Sequence, residues 1–234
     1  MKIFFKENKR FMVTIKNSVA FFVFWMLFVP GIVLAEASEN IEEVIAGLQQ
    51  TYEKTKDFKA NFIQETTIQS IKKTDSEKGT VFFKMPRHML WNYTRPQAKK
   101  MIINPRKTWL YLPAEKVAYT QDADKTFKSS VLIKFLSGLG KLKNDFSIKY
   151  AAPVAHDKQG NYLLVLTPLE KIAALTPFAI TVDKRTFFIL QISFADALGN
   201  STVLKFTEIS TNTGLSEKIF QFQPPQDVSI FNMP

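Results

Sequence analysis

Two periodicities divide the chain. From Asn40 to Phe58 the apolar residues Ile41, Val44, Ile45, Leu48 and Tyr52 recur three or four apart, and Asn40 with Glu43 forms a capping-box pattern ahead of them, which predicts one amphipathic helix. At "DFKANFIQET" the period changes to two. Phe58, Ala60, Phe62 and Gln64 alternate with Lys59, Asn61, Ile63 and Glu65, the pattern of a strand with one buried face.

Short candidate strands then follow in close order: "GTVFFKM", "HMLWNYT", "KKMIIN", "KTWLYL" and "KVAYTQ", punctuated by "KMPR", "RPQA", "NPR" and "LPAE". Turn signals at such short intervals predict an antiparallel meander. A second helix is expected at "TFKSSVLIKFLSGLG", where Phe127, Val131, Phe135, Leu136 and Leu139 repeat at helical spacing and Gly140 offers a C-terminal cap. Strands resume at "FSIKYA", "NYLLVLTP", "FAITVDK", "FFILQISFA", "STVLKFTEI" and "KIFQFQPP", while "LEKIAALTP" reads as a short helical turn or a loop. About 11 strands and two or three helices define a mainly β, α+β architecture whose sheet must close, fold over or be covered.

The first 35 residues stand outside this pattern. Lys2, Lys6, Lys9, Arg10 and Lys16 precede the apolar run "VAFFVFWMLFV", Pro30 and Gly31 break it, and "VLA" ends at Ala35, with Ala37 as a second cleavage point. The run is shorter than the roughly 20 apolar residues of a spanning helix, so residues 1–35 are expected to be a cleavable signal peptide and 36–234 a single domain. No cysteine near the junction offers a lipid anchor, so the expectation is a soluble protein in an exported compartment. The absence of cysteine anywhere agrees with a chain large enough to stand on its hydrophobic core alone.

The 31 Lys and Arg against 21 Asp and Glu give +10, and because the leader holds five basic residues and Glu7, the remainder carries about +6. That excess serves solubility. No basic cluster with interleaved aromatics argues for nucleic acid. His88 and His156 lie far apart without cysteine or carboxylate at ligand spacing, "LSGLG" around Ser137 is no nucleophile elbow, and no glycine-rich phosphate loop exists among the eight glycines. The expectation is therefore no catalytic residue, no metal and no cofactor.

With catalysis unsupported, the unusual segment is "KMPRHMLWNYTRPQ", in which Met89, Trp91 and Tyr93 share one face of a strand between two prolines. Together with "NFIQ", "WLYLP", "YLLVLTP" and the closing "FQFQPP", in that order, it resembles the LolA family of periplasmic lipoprotein carriers across nearly the whole chain after the leader. The resemblance implies a curved antiparallel half-barrel whose apolar concave face is covered by a helical lid. It implies a periplasmic carrier that takes acylated lipoproteins from an inner-membrane ABC-type release complex to an outer-membrane lipoprotein acceptor and works as a monomer.

On that reading Met89, Trp91 and Tyr93 line the cavity, Leu48 and Tyr52 of the first helix and Val131, Leu132, Phe135 and Leu136 of the second form the lid underside, and no cofactor is needed. The same half-barrel suits a carrier or sensor of another lipid, a phospholipid or a glycolipid, because an apolar pocket reads chain length and bulk. One position departs from the family pattern. Members often carry a basic residue immediately before the proline of this block, where it latches the lid; here it is Met85, and Arg87 in the adjoining turn is the candidate latch.

Overall fold

The computed structural model describes residues 40–129, 141–169 and 176–233. Among them the leader, Val131, Leu132, Phe135 and Leu136 of the expected lid, and most of "LEKIAALTP" do not fall, so those expectations lie outside the described residues.

The opening helix α1, Ile41–Lys54, forms as its pattern predicts: the Asn40 side chain accepts from Glu42 N at 3.0 Å, Glu42 and Glu43 sit in the positive first turn, and Lys54 in the last. Its stripe Val44, Ile45, Leu48 and Tyr52 is buried. Six strands follow in meander: β1 (Asp57–Ile68), β2 (Lys73–Lys84), β3 (His88–Arg95), β4 (Lys99–Ile103), β5 (Lys107–Leu112) and β6 (Val117–Asp122). Helix α2, Ala123–Ser129, starts three residues before the expected one, and the short α3, Leu142–Asp145, leads into β7 (Phe146–Tyr150). Strands β8 (Tyr162–Pro168), β9 (Phe178–Val182), β10 (Ile189–Ala195) and β11 (Ser201–Thr211) form a second meander.

The two meanders join through β1 and β11, giving one open curved sheet in the order β6-β5-β4-β3-β2-β1-β11-β10-β9-β8-β7, with a twelfth strand, β12 (Ser229–Asn232), outside β6. The expected architecture is present, with two corrections. The last strand is not "KIFQFQPP": Glu217–Phe220 is a 3-10 turn capped by the Ser216 hydroxyl, and Pro224 and Pro225, having no N–H, cannot donate to a ladder. The chain instead runs on to β12, which pairs parallel to β6 in an otherwise antiparallel sheet.

Each face of the sheet is covered differently. On the inner face, buried residues of β1–β3 and β8–β11 pack with α1 in one cluster that includes Phe58, Phe62, Trp91, Leu164, Ile192 and Leu48. On the outer face the segment after β11 lies across β3–β5. Phe220, fully buried, meets the His88 ring at 5.4 Å, and Phe222 meets Trp109 and Tyr111 at 5.4 and 5.0 Å. That cover explains why Ile102, which faces away from the inner cluster, is only 2% exposed. Glu39–Pro234 constitutes one compact unit, and among the described residues no helix is long and apolar enough to cross a membrane.

The turn that launches the outer segment is fixed by one carboxylate. Asp57, almost fully buried, accepts from Thr213 N and Oγ1, Gly214 N and Leu215 N at 2.8–3.1 Å. Burial alone raises its pKa, but these hydrogen bonds to the charged form outweigh it and hold the carboxyl below its usual range.

Candidate functional site

The inner face is built from register. Phe58 stands beside Phe83, Phe83 beside Met89 and Met89 beside Ile103; one pleat further, Ala60, Val81, Trp91 and Met101 form the next row. Alternation places both rows on one side, and the rings close into a connected group: Trp91 lies edge-on to Phe62 at 5.1 Å and to Phe83 at 5.9 Å, and 6.2 Å from Phe206. Gly79 makes room for Phe62 and for the strand beside it. A Cβ there would stand 2.2 Å from Asn92 O and 2.9 Å from the Phe62 ring, at the bulge between Lys78 and Gly79.

Two helices cover this face. From α1, Leu48 and Tyr52 are 0% and 3% exposed, Ile189 N donates to the Tyr52 hydroxyl at 3.4 Å, and burial pushes the phenol far above its ordinary range. Gly47 lets α1 approach the Phe187 ring, which a Cβ would meet at 2.7 Å. Toward the β5–β6 end of the sheet, Thr126 of α2 shares a hydrogen bond with Thr108 at 2.7 Å and accepts from Gln121 Nε2 at 2.8 Å. Arg87, at φ 64° in the turn before β3, ion-pairs with Asp124 of α2 and lays its guanidinium 4.5 Å from the Phe127 ring centroid.

Beyond Phe62 the face turns polar. Tyr93 donates to Gln64 Oε1 at 3.2 Å, Gln64 Nε2 to Glu77 at 3.4 Å, and Lys99 ion-pairs with Glu77 at 2.7 Å while standing 4.3 Å from the Tyr93 ring centroid. Burial, then the Glu77 charge, push the Tyr93 phenol up to about 12.

Of the residues singled out from sequence, Leu48, Tyr52, Met89, Trp91 and Tyr93 therefore lie on one inner surface, and Arg87 touches α2. Sequence reading passed over Phe58, Phe62, Phe83 and Phe206 as site residues, although the alternation that marked Trp91 marks them equally. Where Phe206 meets Phe188, Leu190 and Ile209 an apolar cavity of about 240 Å³ opens beside Glu208. It holds the volume of about eight waters, a fraction of one long acyl chain. Among the described residues the inner face carries one buried side-chain cluster. On the outer face a second cavity, about 590 Å³, lies between His88, Asn104 and Arg106 and the Phe220–Gln223 segment. Among the described residues no group of three or more His, Cys, Asp or Glu is placed to hold a metal.

The chain thus presents an open curved sheet with helices laid over an apolar face. The family described as outer membrane lipoprotein carrier protein LolA matches residues 53–223, and the chain belongs to that family. Among its relatives are the outer-membrane lipoprotein carrier proteins of Hahella chejuensis, 23% identical over 80% of this chain and 86% of that one, and of Neisseria meningitidis serogroup B, 25% identical over 90% and 97%. A solved structure of an uncharacterized conserved protein from Thermus thermophilus shares the fold, with a TM-score of 0.53 and 13% identity over 82% of this chain and 99% of that one.

Proposed function

We propose that this protein is a periplasmic carrier, not an enzyme, which shelters the acyl chains of lipoproteins against the inner face and delivers them from an inner-membrane ABC-type release complex to an outer-membrane acceptor. Residues 1–35 act as its signal peptide, and residues 36–234 work as one monomeric domain. The observation that carries this reading is the aromatic face of Phe58, Phe62, Phe83, Trp91 and Phe206 beneath two helices, in a chain of the carrier family.

Two or three acyl chains, at about 0.8 kcal/mol per CH₂, represent tens of kcal/mol in water, so the cargo must be hidden fully. The described inner-face residues pack with α1 in one cluster, so on this reading cargo enters as α1 and the α2 side of the lid move off the sheet. Release without fuel requires that this movement cost little. The fastening of α2 by Arg87 satisfies that requirement: Asp124 is 70% exposed and Arg87 30%, an ion pair in this setting contributes about 0.2–1 kcal/mol, and stacking on Phe127 adds about 0.5–1 kcal/mol. Arg87 is the latch on this reading.

The test is native mass spectrometry of the protein purified from periplasm, with and without a co-expressed triacylated lipoprotein, alongside Trp91→Glu. A one-to-one lipoprotein complex, lost in a variant that keeps its circular dichroism, is expected. Only phospholipid or glycolipid at the site would make the protein a carrier of another lipid; no lipid at all, with a competent donor present, would make it an interaction module.

A further inference from the structure

A single polar atom in the aromatic face is left without a partner. Trp91 is 6% exposed, and its Nε1 is, among the described residues, one of three buried side-chain nitrogen or oxygen atoms that make no hydrogen bond. An unpaired buried N–H costs about 1–3 kcal/mol, and such groups in folded proteins are rare. A phenylalanine would fill an aromatic niche without this cost. The other two atoms, Arg87 Nε and Thr120 Oγ1, lie outside this row, in the α2 fastening and on β6.

The position of this donor along β3 is informative. Met89, fully buried among Phe83 and Ile103, lies two residues before it; Tyr93, joined to Gln64 and Lys99, lies two residues after it on the same face. At about 3.3 Å per residue these three positions are spaced about 6–7 Å apart. The order along the strand is therefore apolar side chain, lone N–H donor, charged and hydroxyl-bearing cluster. An acylated cysteine has the same order: hydrocarbon tails, ester carbonyls that accept but cannot donate, then a glyceryl and peptide head.

We propose that Trp91 Nε1–H is the donor to an ester carbonyl of the diacylglyceryl group, with the tails directed toward Met89 and the head toward Tyr93 and Lys99. This rests on the carrier reading above and adds to it a chemical selectivity: the inner face distinguishes an ester-linked lipid from a purely hydrocarbon one.

The experiment compares two synthetic lipopeptides with the mature protein: a dipalmitoyl-glyceryl-cysteinyl peptide and its dihexadecyl ether analogue, which keeps the chains and lacks the ester carbonyls. The ester is expected to bind about fivefold more tightly, the worth of one hydrogen bond, and Trp91→Phe to erase that ratio while still binding both. In the unaltered protein labelled with ¹⁵N-tryptophan, the Trp91 indole proton should move downfield with the ester and not with the ether, while Trp109, under Phe222 on the outer face, serves as the internal reference. This readout needs no variant to fold. Equal affinity for ester and ether, with an indole shift common to both, overturns the proposal and leaves the carrier reading intact. Failure of both lipopeptides to bind overturns the carrier reading itself, and the proposal with it.

Discussion

Arg87→Met should make the protein hold its cargo more tightly, although it removes contacts from the structure. Arg87 fastens α2 through Asp124 and Phe127, contacts contributing together about 1–2 kcal/mol. Against this stands its buried, unpartnered Nε, which costs about 1 kcal/mol, so the net fastening is at most about 1 kcal/mol. On the carrier reading cargo and latch compete, because cargo needs the helices displaced. The apparent dissociation constant is the intrinsic one divided by the fraction of open protein, so weakening the closed state by up to about 1 kcal/mol lowers it by up to about fivefold. Fluorescence titration with a dipalmitoyl lipopeptide measures this directly. Transfer of that lipopeptide to acceptor vesicles should slow by a similar factor, and amide exchange over Ala123–Phe127 should rise in the empty variant. Asp124→Asn, which keeps the Phe127 contact, should give a smaller change in the same direction, and 0.5 M salt should mimic it, since both charges are partly exposed. Weaker lipopeptide binding by Arg87→Met, with unchanged exchange in α2, would show that Arg87 is part of the binding surface and not a latch.

Other substitutions test the scaffold. Leu48→Ala removes a fully buried side chain between α1 and the sheet and should cost about 3–5 kcal/mol in urea unfolding; a loss below about 1 kcal/mol would mean that α1 is barely docked. Gly79→Ala meets backbone at Asn92 O, which cannot rotate away, and should lower the melting temperature by several degrees; near-neutral behaviour at Gly79 would refute the close approach. Asp57→Asn should destabilise by about 2–3 kcal/mol at pH 7 through the loss of charge-assisted bonds to Thr213, Gly214 and Leu215. Because the folded pKa of Asp57 lies below its unfolded value, this contribution is full above about pH 4 and disappears as pH falls through the folded pKa, so the difference between the two proteins should shrink in acid and vanish at the lowest pH; a constant difference would exclude the carboxylate as its source.

The legible parts of this fold were those in which neighbours in sequence carry the information. The stripe of α1 and the alternations Phe58-Ala60-Phe62 and Met89-Trp91-Tyr93 announce one buried face each, and the sheet obeys them. Interactions set by register did not announce themselves. Glu77, Lys99 and Gln64 come together only because β1–β4 pair with a bulge at Gly79, and Asp124 reaches Arg87 across 37 residues. The outer face misled the reading for a related reason. "FQFQPP" has the composition of a strand, while its prolines cannot donate to a ladder and the chain around Phe220 takes a 3-10 turn that covers Ile102 instead. That error arises from a tail that makes its contacts far away in sequence.

The joining of β1 to β11 has a bearing on how such a chain comes to be where it works. These strands are neighbours in the middle of the sheet, yet Asn61 and Glu208, which hydrogen-bond between them, are 147 residues apart. Each meander can fold locally, but the hydrophobic core that spans both cannot form until nearly the whole sequence has been synthesised. Topologies closed by such distant pairs fold slowly. On the export route proposed above, that delay is useful: the nascent chain stays threadable while it crosses the inner membrane and acquires its lipid-sheltering interior only on the far side.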